Sequence, residues 1–551
     1  MNLIQRRLSA VGLVLASYLL LWSVSAPAEV LVTIGQNFTG STYGTDSLAL
    51  PADANGAIGP QHFVEFINGS FAVYNKTNGQ NVKRISDLKF WSNSGVVLST
   101  SDGVTDPRII YDPTVQRWFA SMVDFDAGAA SDPTLEANDF LLAVSATSDP
   151  RGAWHGFLFE ADPDTGTFAD FPTLGVDSNA VYLSGDMYHG ESNPIGPSLV
   201  SFPKADLLAA TPTIANLTWF GVMTYGQRGD VLQPAICFDG STSGKIVATS
   251  DIGNDSNPHS NLVSFAIQNA GGPGATLSLT AVIPTAAWVV PDSPYLPAPS
   301  FHPIQPDGTD TLQANEARFS AKVYSVAGVL YAVHNTELNG RIAIRWYRIR
   351  AADNSLLESG TIADPDLDLF FPSIAANAYG VVVIGFNGCS LNTFISCYAM
   401  VGQTASGVTT FGNRLLLQAS TLDYHDFYEQ LGLNETSRWG DYSATSVDAS
   451  NPNHFWTIQM YATDSQDYGS VWSTQITELV TTPLVSLAIA PAGANVVVSW
   501  PSGFTNYHLQ SATNLPPTDW SDVGLVPQTN ANQLVVQLPV SAGSRFFRLK
   551  E

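Results

Sequence analysis

Three arginines and an adjacent aspartate–tyrosine pair are the residues of this sequence whose types and positions could do chemistry together. Arg108, Arg318 and Arg438 occupy comparable positions in three similar segments of the chain. If they converged, three guanidinium groups would bind a carboxylate or sulfate through paired hydrogen bonds. Asp441 and Tyr442 follow Arg438 closely, and a tyrosine near a carboxylate can act as a nucleophile or a proton donor. The alternative is that each arginine pairs with a nearby aspartate and only pins its strand.

Two acidic loops form a second candidate, a calcium site. Each loop alternates carboxylates with turn residues, an arrangement that can supply oxygen ligands to calcium. Neither loop has the EF-hand spacing with its closing glutamate, so solvated turns with Asx hydrogen bonds are the alternative. Calcium is the only cofactor that the sequence suggests. The predicted ligands are Asp162, Asp164, Asp170, Asp364, Asp366 and Asp368.

The cysteines and the catalytic motifs add little further chemistry. Cys389 and Cys397 flank a short segment that could turn between two strands, and an exported protein can keep a disulfide there. Two free thiols fit the same spacing, and Cys237 is expected as a buried thiol. The sequence has no zinc-ligand spacing, nucleophile elbow, phosphate-binding loop or dinucleotide fingerprint. Whether the protein is an enzyme therefore stays open.

The elements that must position these residues are short β-strands. Helical periodicity is scarce, and apolar runs are broken by Gly, Pro, Asn and Asp, which is typical of an all-β protein. A loose repeat consists of a strand, a turn and a second apolar strand. In four copies a proline is expected at the start of the first strand. The seven copies begin at Gly59, Asp106, Asp170, Gln233, Ala317, Phe370 and Arg438.

Seven such units predict a seven-bladed β-propeller, with six or eight blades also compatible. Radial blades bury both faces of each sheet and leave only short edges. The strand-like segment from Val30 is expected to pair into the last blade and close the ring. Two stacked β-sandwiches are the alternative architecture.

Both ends of the chain differ from this repeat. Arg6 and Arg7 precede an apolar run and an Ala-Pro-Ala site, the pattern of a secretory signal peptide. The composition changes near Pro483, and alternating strands with Trp500 follow, which predicts a small sandwich of the immunoglobulin or fibronectin III type. The predicted divisions are a signal peptide at 1–28, a β-propeller at 29–480 and the C-terminal β-sandwich at 484–551.

Composition limits the partners. Among 551 residues the formal charge is −25, which argues against nucleic-acid binding because phosphates need a basic face. An apolar fraction of 45% excludes a wholly disordered chain. No stretch after the signal is long and apolar enough to span a membrane. We expect a secreted monomer, placed outside the cell, in the periplasm or at the cell surface.

Several motifs resemble those of exported bacterial β-propeller proteins that are mostly uncharacterised. The resemblance covers roughly residues 50–470 and implies a propeller and export without a settled activity. The tail ending FFRL resembles a C-terminal module of many secreted bacterial proteins, which implies attachment or sorting. Similarity to sialidases is architectural only, since their repeated S-x-D-x-G-x-T-W motif is absent. The motifs that carry the resemblance are DPRIIYDPTVQRWFAS, DFPTLGVDSNAVYLS, GRIAIRWYRI, FFPSIAANAYG and RWGDYSATSVD.

These observations lead to two functional hypotheses. The first is a secreted β-propeller that binds an extracellular glycan or protein and carries a C-terminal attachment or sorting module. The second is a sialidase-like glycan-active enzyme, either a glycoside hydrolase or a lyase, that uses the arginine cluster with Tyr442 and an aspartate.

Overall fold

A computed structural model gives the fold of most of the chain. It describes residues 30–129, 132–190, 193–250, 258–291, 302–314, 317–466, 469–483, 485, 487–514, 519–530, 533–540 and 544–550. The predicted signal peptide at 1–28 lies outside the described residues. No helix among the described residues is long and apolar enough to cross a membrane.

The fold is all-β, as the scarcity of helical periodicity predicts. The strands of the N-terminal half are β1 (Leu31–Thr42), β2 (Asn55–Ile58), β3 (His62–Ile67), β4 (Ser70–Asn75), β5 (Asn81–Ile85), β6 (Asp102–Asp112), β7 (Arg117–Asp126), β8 (Asp139–Ser145), β9 (Trp154–Glu160), β10 (Phe168–Val176), β11 (Ala180–Tyr188), β12 (Pro194–Pro203), β13 (Thr218–Val222), β14 (Asp230–Pro234), β15 (Ile236–Cys237), β16 (Lys245–Thr249), β17 (His259–Gln268), β18 (Thr276–Leu277) and β19 (Ala281–Trp288).

The second half continues in the same way. Its strands are β20 (Leu312–Gln313), β21 (Tyr324–Val326), β22 (Val329–Leu338), β23 (Arg341–Arg350), β24 (Leu356–Ile362), β25 (Asp368–Ala376), β26 (Val381–Ser390), β27 (Thr393–Ala405), β28 (Val408–Phe411), β29 (Leu415–Gln418), β30 (Ser437–Arg438), β31 (Ala444–Val447), β32 (His454–Gln466), β33 (Gly469–Thr482), β34 (Ala488–Ala492), β35 (Asn495–Pro501), β36 (His508–Ala512), β37 (Ser521–Asp522), β38 (Gln528–Asn530), β39 (Gln533–Pro539) and β40 (Phe546–Lys550). The helices are α1 (Asp87–Ser94), α2 (Lys204–Leu207), α3 (Tyr225–Arg228) and α4 (Phe427–Gln430), and one 3₁₀ turn spans Pro133–Leu135.

The repeated segments fold into successive sheets of four or five strands. Sheet 1 is β2–β5, sheet 2 is β6–β9 and sheet 3 is β10–β13, each paired in chain order. Sheet 4 combines β14 with β16–β19, and sheet 5 combines β15 with β21–β24. Sheet 6 is β25–β29, and sheet 7 is β31–β33 with β1. Among the described residues, six of the repeats each supply strands to one large sheet, whereas the repeat from Gln233 supplies β15 to sheet 5 and β16 to sheet 4.

The first strands of neighbouring sheets lie against one another. β2 contacts β6, β6 contacts β10, and β10 contacts both β14 and β15. β21 contacts β25, β25 contacts β31, and β31 contacts β2. The series of contacts therefore returns to its starting point, which brings residues from distant parts of the chain together.

The N-terminal strand completes sheet 7, as the sequence predicts. β1 runs antiparallel to β33, with Leu31 opposite Thr482. The buried carboxylate of Glu65 in sheet 1 accepts hydrogen bonds from the Ser41 hydroxyl at 2.7 Å and the Tyr74 hydroxyl at 2.7 Å. Because Ser41 belongs to β1, these bonds join the last sheet to the first.

The C-terminal residues form two smaller sheets. One has the order β34–β35–β39–β38 and the other β37–β36–β40. Val498, Trp500, Leu509 and Val536 form a buried cluster to which both sheets contribute. The ring of Phe504 lies 4.8 Å from that of Tyr379 in sheet 6, which gives one contact with the preceding sheets.

One buried carboxylate in sheet 2 makes stability depend on pH. Asp124 accepts a hydrogen bond from the Asp139 amide, but burial, together with the nearby Asp139 and Asp102 carboxylates, raises its pKa to about 7. The unfolded chain has a pKa of about 4 at this position, so the raised pKa stabilises the folded protein fully below pH 4. That stabilisation is lost as the pH rises through about 7.

The variant Asp124→Asn keeps the oxygen that accepts the hydrogen bond from the Asp139 amide. It should therefore raise the melting temperature at pH 8 and change it little at pH 4, measured by differential scanning calorimetry. Equal effects at both pH values would contradict this cause.

Candidate functional site

A repeated bulge shapes one end of the first strands. In β6, β10 and β25 the register slips next to a proline. The residue before that proline has a left-handed backbone, with φ of 62° at Asp106, 49° at Phe171 and 48° at Phe371. The prolines therefore lie at bulges inside these strands, whereas the sequence pattern placed them at strand starts. Bulges re-aim side chains and are common beside active sites.

Carboxylates gather at this end of the strands. Asp53, Asp106 and Asp441 each place an oxygen within 4.8 Å of the other two. The Asn68 side chain organises them, because its amide nitrogen donates to Asp53 at 2.7 Å and its oxygen accepts from the Asp106 amide at 2.9 Å. The Asp441 amide in turn donates to Asp53 at 2.8 Å. These three oxygen donors could hold a metal ion.

Two further carboxylates lie on neighbouring strands of sheet 3. Asp170 and Asp186 are directly opposite one another in the pairing of β10 with β11. Asp186 accepts hydrogen bonds from the hydroxyls of Tyr225 at 2.9 Å and Tyr188 at 3.3 Å. Asp170 interacts electrostatically with both Asp441 and Arg438. We call Asp53, Asp106, Asp170, Asp186 and Asp441 the acid cluster.

Crowding and burial set different protonation tendencies within the acid cluster. Burial raises the pKa of Asp53 to about 7, and Asp441 adds to this while Arg438 opposes it. Burial, followed by Asp170, raises the pKa of Asp106 well above its usual range. Burial, followed by Asp441, also raises the pKa of Asp170. Close carboxylates cannot all ionise together, so the cluster holds protons near neutral pH.

Asp441 is the carboxylate that an arginine neutralises directly. One nitrogen of Arg438 donates to both its oxygens, at 2.8 and 2.9 Å. Hydrogen bonds between such charged partners are stronger than those between neutral groups. The Asp441 side chain is 16% exposed and that of Arg438 is 42% exposed, so solvent reaches this pair although Asp53 is buried.

Two of the three predicted arginines, Arg108 and Arg318, lie close together, and the three differ in what they bind. Arg108 and Arg318 both lie near the Phe171 ring, at 5.1 and 4.9 Å. Arg108 is buried and donates to the carbonyls of Pro172 at 2.7 Å and Ser320 at 2.9 Å. Arg438 and Arg318 are only partly buried. Both of these arginines interact electrostatically with Asp170, whereas Arg108 binds only backbone carbonyls within the described residues.

Tyr442 lies beneath these arginines. The guanidinium of Arg108 is 3.5 Å from the centre of its ring, and its hydroxyl donates to the Pro107 carbonyl at 3.2 Å. Burial raises the pKa of Tyr442 well above its usual value. This geometry orients the hydroxyl toward backbone, so Asp441 rather than Tyr442 presents its functional group to solvent.

Neither of the two predicted calcium loops gathers its three carboxylates into a metal-binding group. Among the described residues, no three of their six aspartates meet the spacing that Asp53, Asp106 and Asp441 meet. Asp162 accepts from the Asp164 and Thr165 amides, and Asp364 accepts from the Asp366 amide while pairing with Arg414. These carboxylates close local turns, which is the alternative given above. Of the other members, Asp164 accepts from the Trp219 indole at 3.1 Å and Asp368 accepts from the Ile342 amide, and only Asp170 belongs to the acid cluster.

The structure also corrects the expected disulfide. Cys389 and Cys397 are free thiols, as is Cys237. Cys389 packs with Trp439 in one hydrophobic cluster, whereas Cys397 packs in another and donates to the Met460 carbonyl at 3.1 Å. Because the two thiols occupy different clusters, the hairpin does not bring them together.

Sequence reasoning missed several members of the site. Asp53, Asp186 and Asn68 lie outside any motif that predicts chemistry. The available signal was weak: Asp106 lies two residues before Arg108, where it fits a simple pairing partner of that arginine. Asp53 is next to the buried small residue Ala52, with no pattern that indicates a site.

Comparisons with known proteins give only distant likenesses. No protein-family model and no curated protein matches the chain. A GH93 α-L-arabinofuranosidase of Fusarium graminearum is 9% identical, with a TM-score of 0.38 over 80% of this chain and 97% of that one. A protein of unknown function from Dyadobacter fermentans is 8% identical, with a TM-score of 0.34 over 74% and 92%. An exo-β-1,3-galactanase from Phanerochaete chrysosporium is 10% identical, with a TM-score of 0.31 over 93% and 95%. At such values the likenesses assign neither family nor activity.

Proposed function

We propose that this protein is a secreted glycan-active enzyme, a glycoside hydrolase, whose active site is the acid cluster. The proposal rests on one observation: carboxylates in different environments lie together in a site that solvent can reach. Asp441 is paired with Arg438, whereas burial raises the pKa of Asp170 and Asp53. Hydrolysis of a glycosidic bond needs one carboxylic acid and one carboxylate on either side of the bond.

The catalytic role proposed for each carboxylate follows from how far its side chain is exposed to solvent. Asp441 and Asp170 are partly exposed, so they can reach a substrate. Asp170 would donate its proton to the leaving glycosidic oxygen, and Asp441 would act as nucleophile or activate water. Asp53 and Asp106 are buried and hydrogen-bonded to Asn68, which suits them to position Asp441. An excess of carboxylates favours a neutral glycan over a polyanionic one.

The fold proposed for this enzyme is a seven-bladed β-propeller, with sheets 1–7 as its blades. The closed series of contacts between first strands and the pairing of β1 into sheet 7 support it. In this arrangement residues 29–480 form the propeller and the acid cluster lies at one end of its axis. Residues 484–551 form the β-sandwich, which serves for attachment or sorting.

A second candidate function is cation binding. Asp53, Asp106 and Asp441 offer three oxygens close enough to share one ion, and calcium is the ion whose ligand preference they match. In this case the protein would be a binding module for an extracellular ligand, and Arg438 would compete with the ion for Asp441.

The experiment is a screen of purified protein against neutral and acidic polysaccharides and a glycan array, with and without a chelator. We expect wild type to release reducing ends from a neutral glycan, and Arg438→Ala to lose this activity because Asp441 loses its partner. Arg414→Ala, which removes the partner of Asp364 outside the cluster, is the matched control and should behave as wild type. Binding without cleavage, abolished by the chelator, would favour the second candidate. A folded wild type with neither cleavage nor binding would reject both.

A further inference from the structure

The first strands line a cavity at their C-terminal ends. Residues at the ends of β2, β6, β25 and β31 surround an open space of about 210 Å³. Its walls include the apolar side chains of Ile58, Ile110, Ile236 and Val447. We propose that this cavity, the distal cavity, binds a small neutral aromatic molecule that carries one polar group.

The size and lining of the distal cavity suit one aromatic ring. An apolar cavity of about 150 Å³ in a protein stays dry and accepts benzene. Tyr111, Tyr324 and Phe238 add ring surface to the aliphatic walls. Aromatic rings pack against one another at offset or edge-to-face angles, which adds to the energy of burial. A flexible or strongly hydrated ligand would gain less from such walls.

Two hydroxyl groups on the cavity wall can form a hydrogen bond with a polar group on the ligand. Within the described part of the chain, the Tyr111 and Tyr324 hydroxyls have no hydrogen-bond partner, although both residues are less than 10% exposed. Neither hydroxyl oxygen is fully enclosed, so each can bond to water in the open cavity, and a ligand oxygen can replace that water. A ligand oxygen inside the cavity would accept such a hydrogen bond.

The charges at the cavity favour a neutral ligand. Asp239 and Asp448 are both lining residues. Burial opposes ionisation of Asp239, but hydrogen bonds from Ser241 and from the Ala327 amide outweigh it and lower its pKa. Asp448 is paired with Lys76. Because both carboxylates are already bonded to protein donors, neither is free to pair with a cation, and an anion would be repelled by them, so an uncharged molecule is preferred.

Buried cations separate the distal cavity from the acid cluster. Lys322 donates to the carbonyls of Gly56 at 3.0 Å and Ile109 at 2.7 Å, and Arg108 donates to those of Pro172 and Ser320. Because these bonds occupy the middle of the first strands, binding at one end does not depend on the other. The proposal therefore stands apart from the proposed glycan chemistry.

The test uses two probes of equal size, 4-fluorophenol and 4-fluorotoluene, titrated into the full chain and followed by fluorine NMR. We expect saturable binding of both, with the phenol tighter. Tyr324→Phe should weaken the phenol by about three- to tenfold, the range of one hydrogen bond, and leave the toluene unchanged. Ser446→Leu, which fills the cavity at a serine whose hydroxyl makes no hydrogen bond with the described residues, should weaken both by more than tenfold.

Arg438→Ala serves as the matched control at the opposite end and should leave both affinities unchanged. Circular dichroism and the melting temperature establish that each variant is folded. Absence of saturable binding to wild type would overturn the proposal. Equal binding by a folded Ser446→Leu variant would also overturn it, since the probes would then lie elsewhere.

Discussion

Replacing Asp441 with asparagine is expected to lower glycan cleavage by about 10²- to 10⁴-fold, the usual contribution of a positioned acid–base group. The change keeps the shape of the side chain but removes the charge that Arg438 holds. It also removes a charge that raises the pKa of Asp53 and Asp170, so the fold should not lose stability. Initial rates with the polysaccharide found in the screen provide the measurement.

The pH profile separates this role from a structural one. Asp170 must be protonated to act as the acid, so activity should fall as pH rises through its raised pKa. Without the Asp441 charge that pKa is lower, and the alkaline limb of any residual activity should move to lower pH. Asp364→Asn, in a loop outside the acid cluster, is the control and should keep the wild-type profile. A wild-type rate in Asp441→Asn would reject the assignment.

Lys204→Met is expected to lower the free energy of unfolding by about 3–5 kcal/mol, because it leaves a buried charge without its partner. The Lys204 ammonium pairs with Asp112 in sheet 2 and also donates to the Asp177 carbonyl at 2.6 Å. Only 4% of the lysine side chain and none of the aspartate side chain is exposed. Urea unfolding followed by tryptophan fluorescence would measure the loss.

The control for this variant is an ion pair in solvent. Arg151 and Asp149 expose 44% and 42% of their side chains, so Arg151→Met should leave the unfolding curve unchanged. A second variant tests the cause: Lys204→Met combined with Asp112→Asn removes both charges and should recover part of the loss. If Lys204→Met has the same free energy of unfolding as wild type, the Lys204–Asp112 pair does not stabilise the packing of sheet 2 against sheet 3.

The sequence by itself determined the strands and their repetition. Apolar alternation and turn residues act over a few neighbours, so segments such as those from Asp106 and Phe370 predict their own hairpins. The all-β class and the pairing of the N-terminal strand into the last sheet followed from these local patterns. The nearness of Arg108 and Arg318 followed as well, because equivalent positions in a repeat occupy equivalent positions in the fold.

Only the tertiary structure decided which carboxylates form the site. Asp53 and Asp441 are 388 residues apart, yet the Asp441 amide donates to Asp53. That contact depends on the return of the last sheet to the first, and no short-range pattern encodes it. The acidic loops had the clearer sequence signal, but their carboxylates are used by neighbouring amides, as in the turn at Asp162. Local hydrogen bonds explain those residues, whereas the acid cluster arises from strands that meet only when the ring of sheets closes.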